Sequence, residues 1–239
     1  MIKANDSSDE YIGIAILETL NKAKRYNAYL MSQILKYCND AESILDFGAG
    51  IGTFMDIFKE MDVIAVEKDP TLYDLLKRKG YRVHADLSEI DDNSIEFIYT
   101  LNVLEHIKDD VSVLKDLYSK LKPCGKLFIY VPALKILYSN FDRKIKHYRR
   151  YKKTQAIHML QELGYNNVIA KYVDSLGFFA ALLYKILNKS GELSLRSIKM
   201  YDTFLFPLSR RLDSIGINKL FGKNLLIIAN RPRESNKMT

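Results

Sequence analysis

Cysteine is scarce in this chain. Cys38 and Cys124 stand alone, without a partner at C-x-x-C spacing, so neither a zinc ribbon nor a disulfide framework is expected and both read as core residues. With 11 glycines and 5 prolines in 239 residues and no low-complexity tract, disordered and fibrous classes are excluded. Long apolar runs are missing too. The longest stretches without a charge, Tyr26 to Leu35 and Ser175 to Tyr184, are ten residues each, whereas a membrane-spanning helix needs about 20. The N-terminus places Asp6, Asp9 and Glu10 ahead of a short apolar stretch broken by Glu18. It lacks the basic region and small-residue cleavage site of a secretory signal, so a cytoplasmic location is the expectation. What remains is an ordinary globular composition, 48% hydrophobic and 27% charged, with a net charge of +7 from 36 basic and 29 acidic residues. That length buries a sizeable core, read as one domain over residues 1–239.

From Ser43 to Val131 short β-rich runs alternate with longer amphipathic stretches, the pattern of a parallel sheet covered by helices. The expected strands are Ser43–Phe47, Asp62–Val66, Tyr81–His84, Ile95–Tyr99 and Lys126–Val131. Pro70 opens a helix that Gly80 closes, and a second helix runs from Asp109 to Leu121 before the turn Lys122-Pro123-Cys124-Gly125. Ahead of this core, residues 18–37 read as a helix packed over the sheet edge or the site. Beyond it, residues 133–153 mix aromatics with charge, Thr154–Leu163 is helical, and Asn167–Val173 and Leu225–Asn230 complete seven strands. Residues 175–222 are too long for one crossover and too apolar for a loop. They read as a helical elaboration containing Leu176–Leu187 and Tyr201–Leu212.

The sharpest local feature is Asp46-Phe47-Gly48-Ala49-Gly50-Ile51-Gly52, where a strand turns into a helix. Glycines there admit positive φ and close approach of a ligand to the backbone. A dinucleotide fingerprint demands glycine at position 53, and position 53 is Thr. The spacing G-x-G-x-G, with an acid two residues before the first glycine, resembles motif I of class I S-adenosylmethionine-dependent methyltransferases. Four further segments follow in the family's order: Glu67-Lys68 after the second strand, Asp86-Leu87 after the third, Thr100-Leu101-Asn102-Val103-Leu104-Glu105-His106 after the fourth, and Leu121 to Leu127 before the fifth, with Cys124 in place of the usual glycine. The resemblance implies a Rossmann-like, doubly wound, mostly parallel sheet with helices on both faces. It implies S-adenosylmethionine as cofactor, with S-adenosylhomocysteine as product. Asp46, Gly48, Ala49, Gly50, Gly52, Glu67, Lys68, Asp86, Leu87, Leu101 and Asn102 are the expected cofactor residues, Glu67 taking the ribose diol and Asp86 the adenine. Each has a plainer reading: Asp46 as a turn acid, Glu67 as a solvated strand-end charge, Asp86 as a cap for the helix that follows.

A narrower branch, methyltransferases found with surface-polysaccharide and glycosyl-transfer enzymes, is similar in Arg25-Tyr26-Asn27-Ala28-Tyr29, in Val131-Pro132-Ala133 with Asp142, and in His147-Tyr148-Arg149-Arg150-Tyr151. From it come the expected acceptor residues Tyr26, Asp142, Arg149, Arg150 and Tyr151, with 133–153 as a mobile lid. Quinone-pathway O-methyltransferases of related type carry Glu-x-x-Glu-His as a metal site after strand four; Asn102 replaces the first glutamate here, and no metal is expected. A hydroxyl acceptor needs a base, and His147 or His106 could supply it, each also reading as a packed residue.

Arg143–Lys153 holds seven basic residues and no acid. Such a cluster fits the phosphates of a nucleotide-sugar or lipid-linked acceptor, those of a nucleic acid, or a solvated basic face. Without an appended RNA-binding domain, nucleic acid is the less expected partner, and a quinone-like small molecule is a further alternative. A binding module that keeps the fold without activity is disfavoured by the intact motif. Apolar residues at helical spacing in 176–187, and Phe204, Leu205, Phe206 and Leu208 ahead of Arg210 and Arg211, fit a cap that touches the inner face of a membrane, the sheet or a second subunit. The chain is expected to be a monomer or homodimer.

Overall fold

The computed structural model describes residues 17–58, 61–187 and 194–233. Its seven strands are β1 (Ser43–Phe47), β2 (Asp62–Val66), β3 (Arg82–His84), β4 (Ile95–Leu101), β5 (Leu121–Pro132), β6 (Asn166–Val173) and β7 (Asn224–Asn230), in the order β3-β2-β1-β4-β5-β7-β6. All run parallel except β7, which inserts antiparallel between β5 and β6. Central strands are buried on both faces, which is why Ile95–Leu101 and Leu225–Ala229 are near-continuous apolar runs rather than alternating ones. One face carries α3 (Asp110–Lys120) and α5 (Lys153–Glu162) over a core that includes Leu45, Ile98, Leu114, Leu127 and Leu160. The other carries α1 (Lys24–Cys38) and α8 (Phe206–Ser214) over Ile34, Phe97, Tyr99, Phe128 and Tyr130. Two further helices are α2 (Pro70–Arg78), opened by Asp69, which accepts from the Thr71 and Leu72 N–H groups, and the short α4 (Asn140–Lys144) in the 133–153 segment.

The expected strands are all present, most within a residue of their limits; the N-terminal helix is not continuous. Residues 17–20 form one helical turn and α1 starts afresh at Lys24. Its first N–H groups find a partner far along the chain: Asp202 accepts from Arg25 N at 3.0 Å and Tyr26 N at 2.8 Å. Asp202 belongs to a π-helical turn, Tyr201–Leu205, between α7 (Leu195–Met200) and α8. Pro207 at the start of α8 has no N–H to give to the turn before it. The Thr203 carbonyl is taken instead by Arg25 Nη1 at 3.1 Å.

α6 (Ser175–Leu187) opens the helical elaboration and is anchored at its base. Asp213 accepts from the N–H groups of Asp174 and Ser175, and Ser209 Oγ from that of Leu176. Its outer stripe is not covered by the sheet: Phe179, Leu183, Ile186 and Leu187 are each more than half exposed.

Cys38 is buried as expected, but Cys124 is exposed. It sits in an irregular part of the β4–β5 pairing, with φ at +67° and its N–H donated to Arg231 O at 3.1 Å. The left-handed conformation explains why glycine is usual there. Cys124→Gly relieves roughly 1–2 kcal/mol of strain and adds about 0.4–1 kcal/mol of unfolded-state entropy. Stability should therefore stay level or rise by up to about 1.6 kcal/mol; a clear loss in thermal melts would contradict the assignment of strain.

Candidate active site

The glycine turn lies at the carboxyl edge of the sheet, where ligands of open α/β folds bind. Gly48 N donates to Val66 O at 2.8 Å, drawing the turn across the end of β2. Gly48 has φ +80°, and a Cβ added there would stand 2.3 Å from Val103 Cγ2. At Gly52, φ is +79° and a Cβ would meet Leu76 Cδ2 at 2.9 Å. Only glycine fits either place. Leu17 reaches over the same turn, its Cδ1 3.4 Å from where a Gly50 Cβ would be.

Glu67 follows β2, and its carboxylate closes on the turn: Oε2 accepts from Gly50 N at 2.8 Å and Oε1 from Asp69 N at 3.0 Å. Each oxygen keeps a second lone pair for a ligand hydroxyl. Asp46, paired across to Tyr99 on β4, is buried, and burial pushes its carboxyl up to about 8; the Tyr99 hydroxyl opposes this and Glu67 adds to it. Lys68 is exposed beside Glu67. After β3, Asp86 is exposed and caps the short turn Leu87–Glu89 through Ser88 N, with Glu89 reciprocating in a capping box. The cap, chiefly that N–H, holds the Asp86 carboxyl below its usual range. Leu87 is buried beneath it. After β4, Leu101 is half-buried, and Asn102 turns the chain at φ +54°, donating its N–H to Tyr130 O at 2.7 Å.

Next to this edge the 133–153 segment docks on the loop after β4. Tyr148 N donates to Glu105 O at 2.8 Å. Its organiser is Asp142, fully buried, which receives Ser139 N at 2.8 Å, Ser139 Oγ at 3.0 Å, His147 Nδ1 at 2.9 Å, Arg150 Nε at 2.8 Å and Arg150 Nη2 at 3.1 Å. Burial by itself would raise this carboxyl; the His147 and Arg150 hydrogen bonds outweigh it and hold it well below the ordinary range. The buried His147 ring meets the exposed His106 edge to face, centroids 4.5 Å apart at 82°. Burial, then the neighbouring His147, lowers the His106 imidazole to about 4. Glu105 lies between the histidines and the core, and burial pushes it up to about 8.

The sequence from residue 20 to residue 170 matches the model of the methyltransferase domain family. The chain belongs to that family. The methyl donor of this Rossmann-like, class I domain is S-adenosylmethionine, and the turn fits it: three glycines at positive φ leave its backbone bare, and the Glu67 carboxylate closes on it at Gly50 N. Glu67, Asp86 and the Gly48–Gly52 turn lie together at the carboxyl edge of the sheet, after β2, β3 and β1. The methyltransferase is 29% identical over 90 residues to uncharacterized protein MJ0638 of Methanocaldococcus jannaschii, an alignment over 37% of this chain and only 40% of that relative's length. Its fold is similar to a SAM-dependent methyltransferase from Archaeoglobus fulgidus, with TM-score 0.59 and 19% identity over 86% of this chain and 94% of that one. It is similar also to phosphoethanolamine N-methyltransferase 2 of Haemonchus contortus, solved with phosphomonomethylethanolamine and S-adenosylhomocysteine, with TM-score 0.59 and 19% identity over 86% of this chain and 53% of that one.

The acceptor residues of the methyltransferase need correction. Arg149 and Arg150 are not held open for a phosphate: Arg149 is spent on Asp110 and the Lys108 carbonyl, and Arg150 on Asp142 and Ala133 O. Tyr151 is buried, its hydroxyl donating to Asp110 at 2.6 Å, and Asp142 faces inward. Tyr26 is part of the packed layer; its hydroxyl donates to Tyr130 at 2.8 Å and receives Asn224 Nδ2 at 3.1 Å. The segment docks as a platform on the loop after β4, and two buried acids neutralise two of its arginines. Exposed Arg143, Lys144 and Lys146 carry the outward charge. Sequence reasoning missed Asp110 and Asp202, acids whose partners lie some 40 and 177 residues away; nothing local marks them. Glu105 was visible within its motif but not singled out.

Proposed function

We propose that this chain transfers the methyl group of S-adenosylmethionine to a hydroxyl of a small or glycan-type acceptor that carries phosphate: a sugar, nucleotide-sugar or lipid-linked saccharide. The observation that carries this reading is the pairing of His147 with His106 of the loop after β4, whose Val103 packs at Gly48 of the glycine turn, next to an exposed basic strip. When bound, the donor supplies a sulfonium methyl open to in-line displacement. The protein's part is to align the acceptor oxygen and exclude water. Glu67 and the turn fix the donor, the docked platform forms the acceptor side, and the histidine cluster draws the proton from the hydroxyl. Asp142 accepts from His147 Nδ1, and a carboxylate can only accept, so Nε2 of a neutral ring is left without hydrogen and able to take one. The Haemonchus neighbour's phosphate-bearing ligand supports an acceptor of that kind. The similarity of the 25–29 and 147–151 segments to polysaccharide-associated methyltransferases supports the saccharide. Incubation with labelled cofactor and cell extract, followed by mass spectrometry of separated lipid, nucleotide-sugar and RNA fractions, tests it. A methylated saccharide is expected; label in RNA or in a quinone would overturn the acceptor class.

The exposed stripe of α6 supports a peripheral position at the cytoplasmic face of a membrane. Ile136, also exposed, lies beside it, its carbonyl accepting from Lys185 Nζ at 2.7 Å, and Phe221 packs on Phe179 at 5.4 Å. No helix among the described residues is long and apolar enough to cross a bilayer. An apolar stripe edged by lysine and arginine is what an interfacial helix offers to anionic headgroups. Co-sedimentation with anionic liposomes should occur and weaken with salt. A protein that stays in the supernatant at every ionic strength, and dimerises instead, would assign the stripe to a second subunit.

A further inference from the structure

The carboxylate of Glu105 is the least satisfied polar group at the site. The residue is wholly buried, yet neither Oε1 nor Oε2 has a hydrogen-bond donor. A buried carboxylate left in this way loses its hydration without replacement, a cost native proteins avoid unless a proton or a cation completes the group. Its surroundings favour a cation. His147 Nε2 stands 3.8 Å from Oε1. One ligand atom each from Glu105, His106 and His147 can be chosen so that all three lie within 4.8 Å of one another.

We propose that Glu105, His106 and His147 form a binding site for a divalent transition-metal ion on the acceptor side of the cofactor turn. Two imidazole nitrogens and one carboxylate oxygen suit zinc, cobalt, iron or manganese rather than magnesium or calcium. Atoms each about 2.1 Å from a shared ion lie roughly 3.0–3.5 Å apart at cis or tetrahedral angles, so the cluster needs a modest contraction. His106 sits on a short 3₁₀ turn, its ring edge to face against His147. Nδ1 of His147 donates to Asp142, which leaves the Nε2 lone pair facing the cluster, and the Arg150 guanidinium balances Asp142 from behind. The expectation of no metal rested on Asn102 standing where a first glutamate would. Here the third ligand comes instead from the platform, 41 residues beyond His106 in sequence.

This inference rests on the reading that the histidine cluster faces the acceptor, and it names what activates the hydroxyl there. With three protein ligands a zinc-like ion keeps an open position, which would lower the pKa of a coordinated hydroxyl. An ion held by His147 Nε2 would take the place of that nitrogen as the activating group, so the coordinated hydroxyl would lose its proton to solvent as the acceptor binds; the oxygen–methyl bond then forms as the sulfur–methyl bond breaks, and the sulfonium becomes the neutral thioether of the product.

The test uses the full chain, stripped with chelator and titrated with cobalt(II), whose visible ligand-field bands report nitrogen and oxygen ligands directly. One equivalent should bind, with zinc displacing it. His106→Ala, which leaves the five hydrogen bonds to Asp142 in place, should weaken cobalt binding at least about tenfold; Glu105→Gln should do the same. His158→Ala, which removes an exposed imidazole on α5 paired with Glu162, should leave binding unchanged. Absence of a one-to-one site, or equal affinity in His106→Ala, overturns the proposal. Calorimetry with S-adenosylhomocysteine on the same samples separates the two readings: product binding without cobalt binding removes the metal site alone, and cobalt binding without product binding removes the methyl-transfer reading alone.

Discussion

Asp142→Ala should cost about 3–5 kcal/mol of folding stability, read by urea denaturation. The replacement removes a fully buried acid that receives two side-chain nitrogens of Arg150, one of His147 and both Ser139 donors. What remains is a mostly buried guanidinium with no counter-charge, and stranding one member of a buried pair is far costlier than removing both. Arg150→Ala should therefore destabilise in its own right, while the double variant should lose less than the sum of the singles, since the second change removes the stranded charge. Additive losses would show that the pair is not coupled. A loss under 1 kcal/mol for Asp142→Ala would mean that the platform is not held by this acid.

The second large effect is expected on cofactor affinity. Glu67→Ala should weaken binding of S-adenosylhomocysteine by about 1–3 kcal/mol, or 5- to 150-fold. Two things are lost together: the acceptor for the ribose hydroxyls, and the hydrogen bond that pins Gly50 N at 2.8 Å. Glu67→Gln keeps one carbonyl oxygen and should fall between. The fold should survive in both, because the Glu67 side chain lies at the sheet edge rather than in the core. Unchanged affinity by calorimetry would remove Glu67 from the cofactor site.

Local patterns made the sheet and the turn readable. The strands β1, β2 and β5 are short apolar runs closed by Gly48, Glu67 and Pro132, and the glycine spacing around Gly48 meets a backbone at positive φ with a side chain packed against it. Asp86 shows a limit of such reading, since its cap is visible in the structure while any second role of the same carboxylate depends on a ligand. The arginines of 149–150 were misread for a physical reason. A cluster of basic residues says nothing about the acids that fold against it, and Asp110 and Asp142 reach them through tertiary contact. Residues 18–37 were read as one helix because apolar spacing carries no information about a cap donated by Asp202.

The reversed last strand has a consequence for the order in which the molecule is made. β5 and β6 are never neighbours; β7 lies between them, pairing Lys126–Pro132 on one side and Asn166–Val173 on the other. As the chain leaves the ribosome, β6 has no sheet to join until residues 224–230 arrive. α1, synthesised among the first, likewise waits for residue 202 to cap it. The nascent chain therefore carries an open β5 edge from the completion of that strand at Pro132 until Asn224 arrives. A stop codon before Asn224 would leave that edge exposed, a target for proteases and aggregation rather than a shorter enzyme.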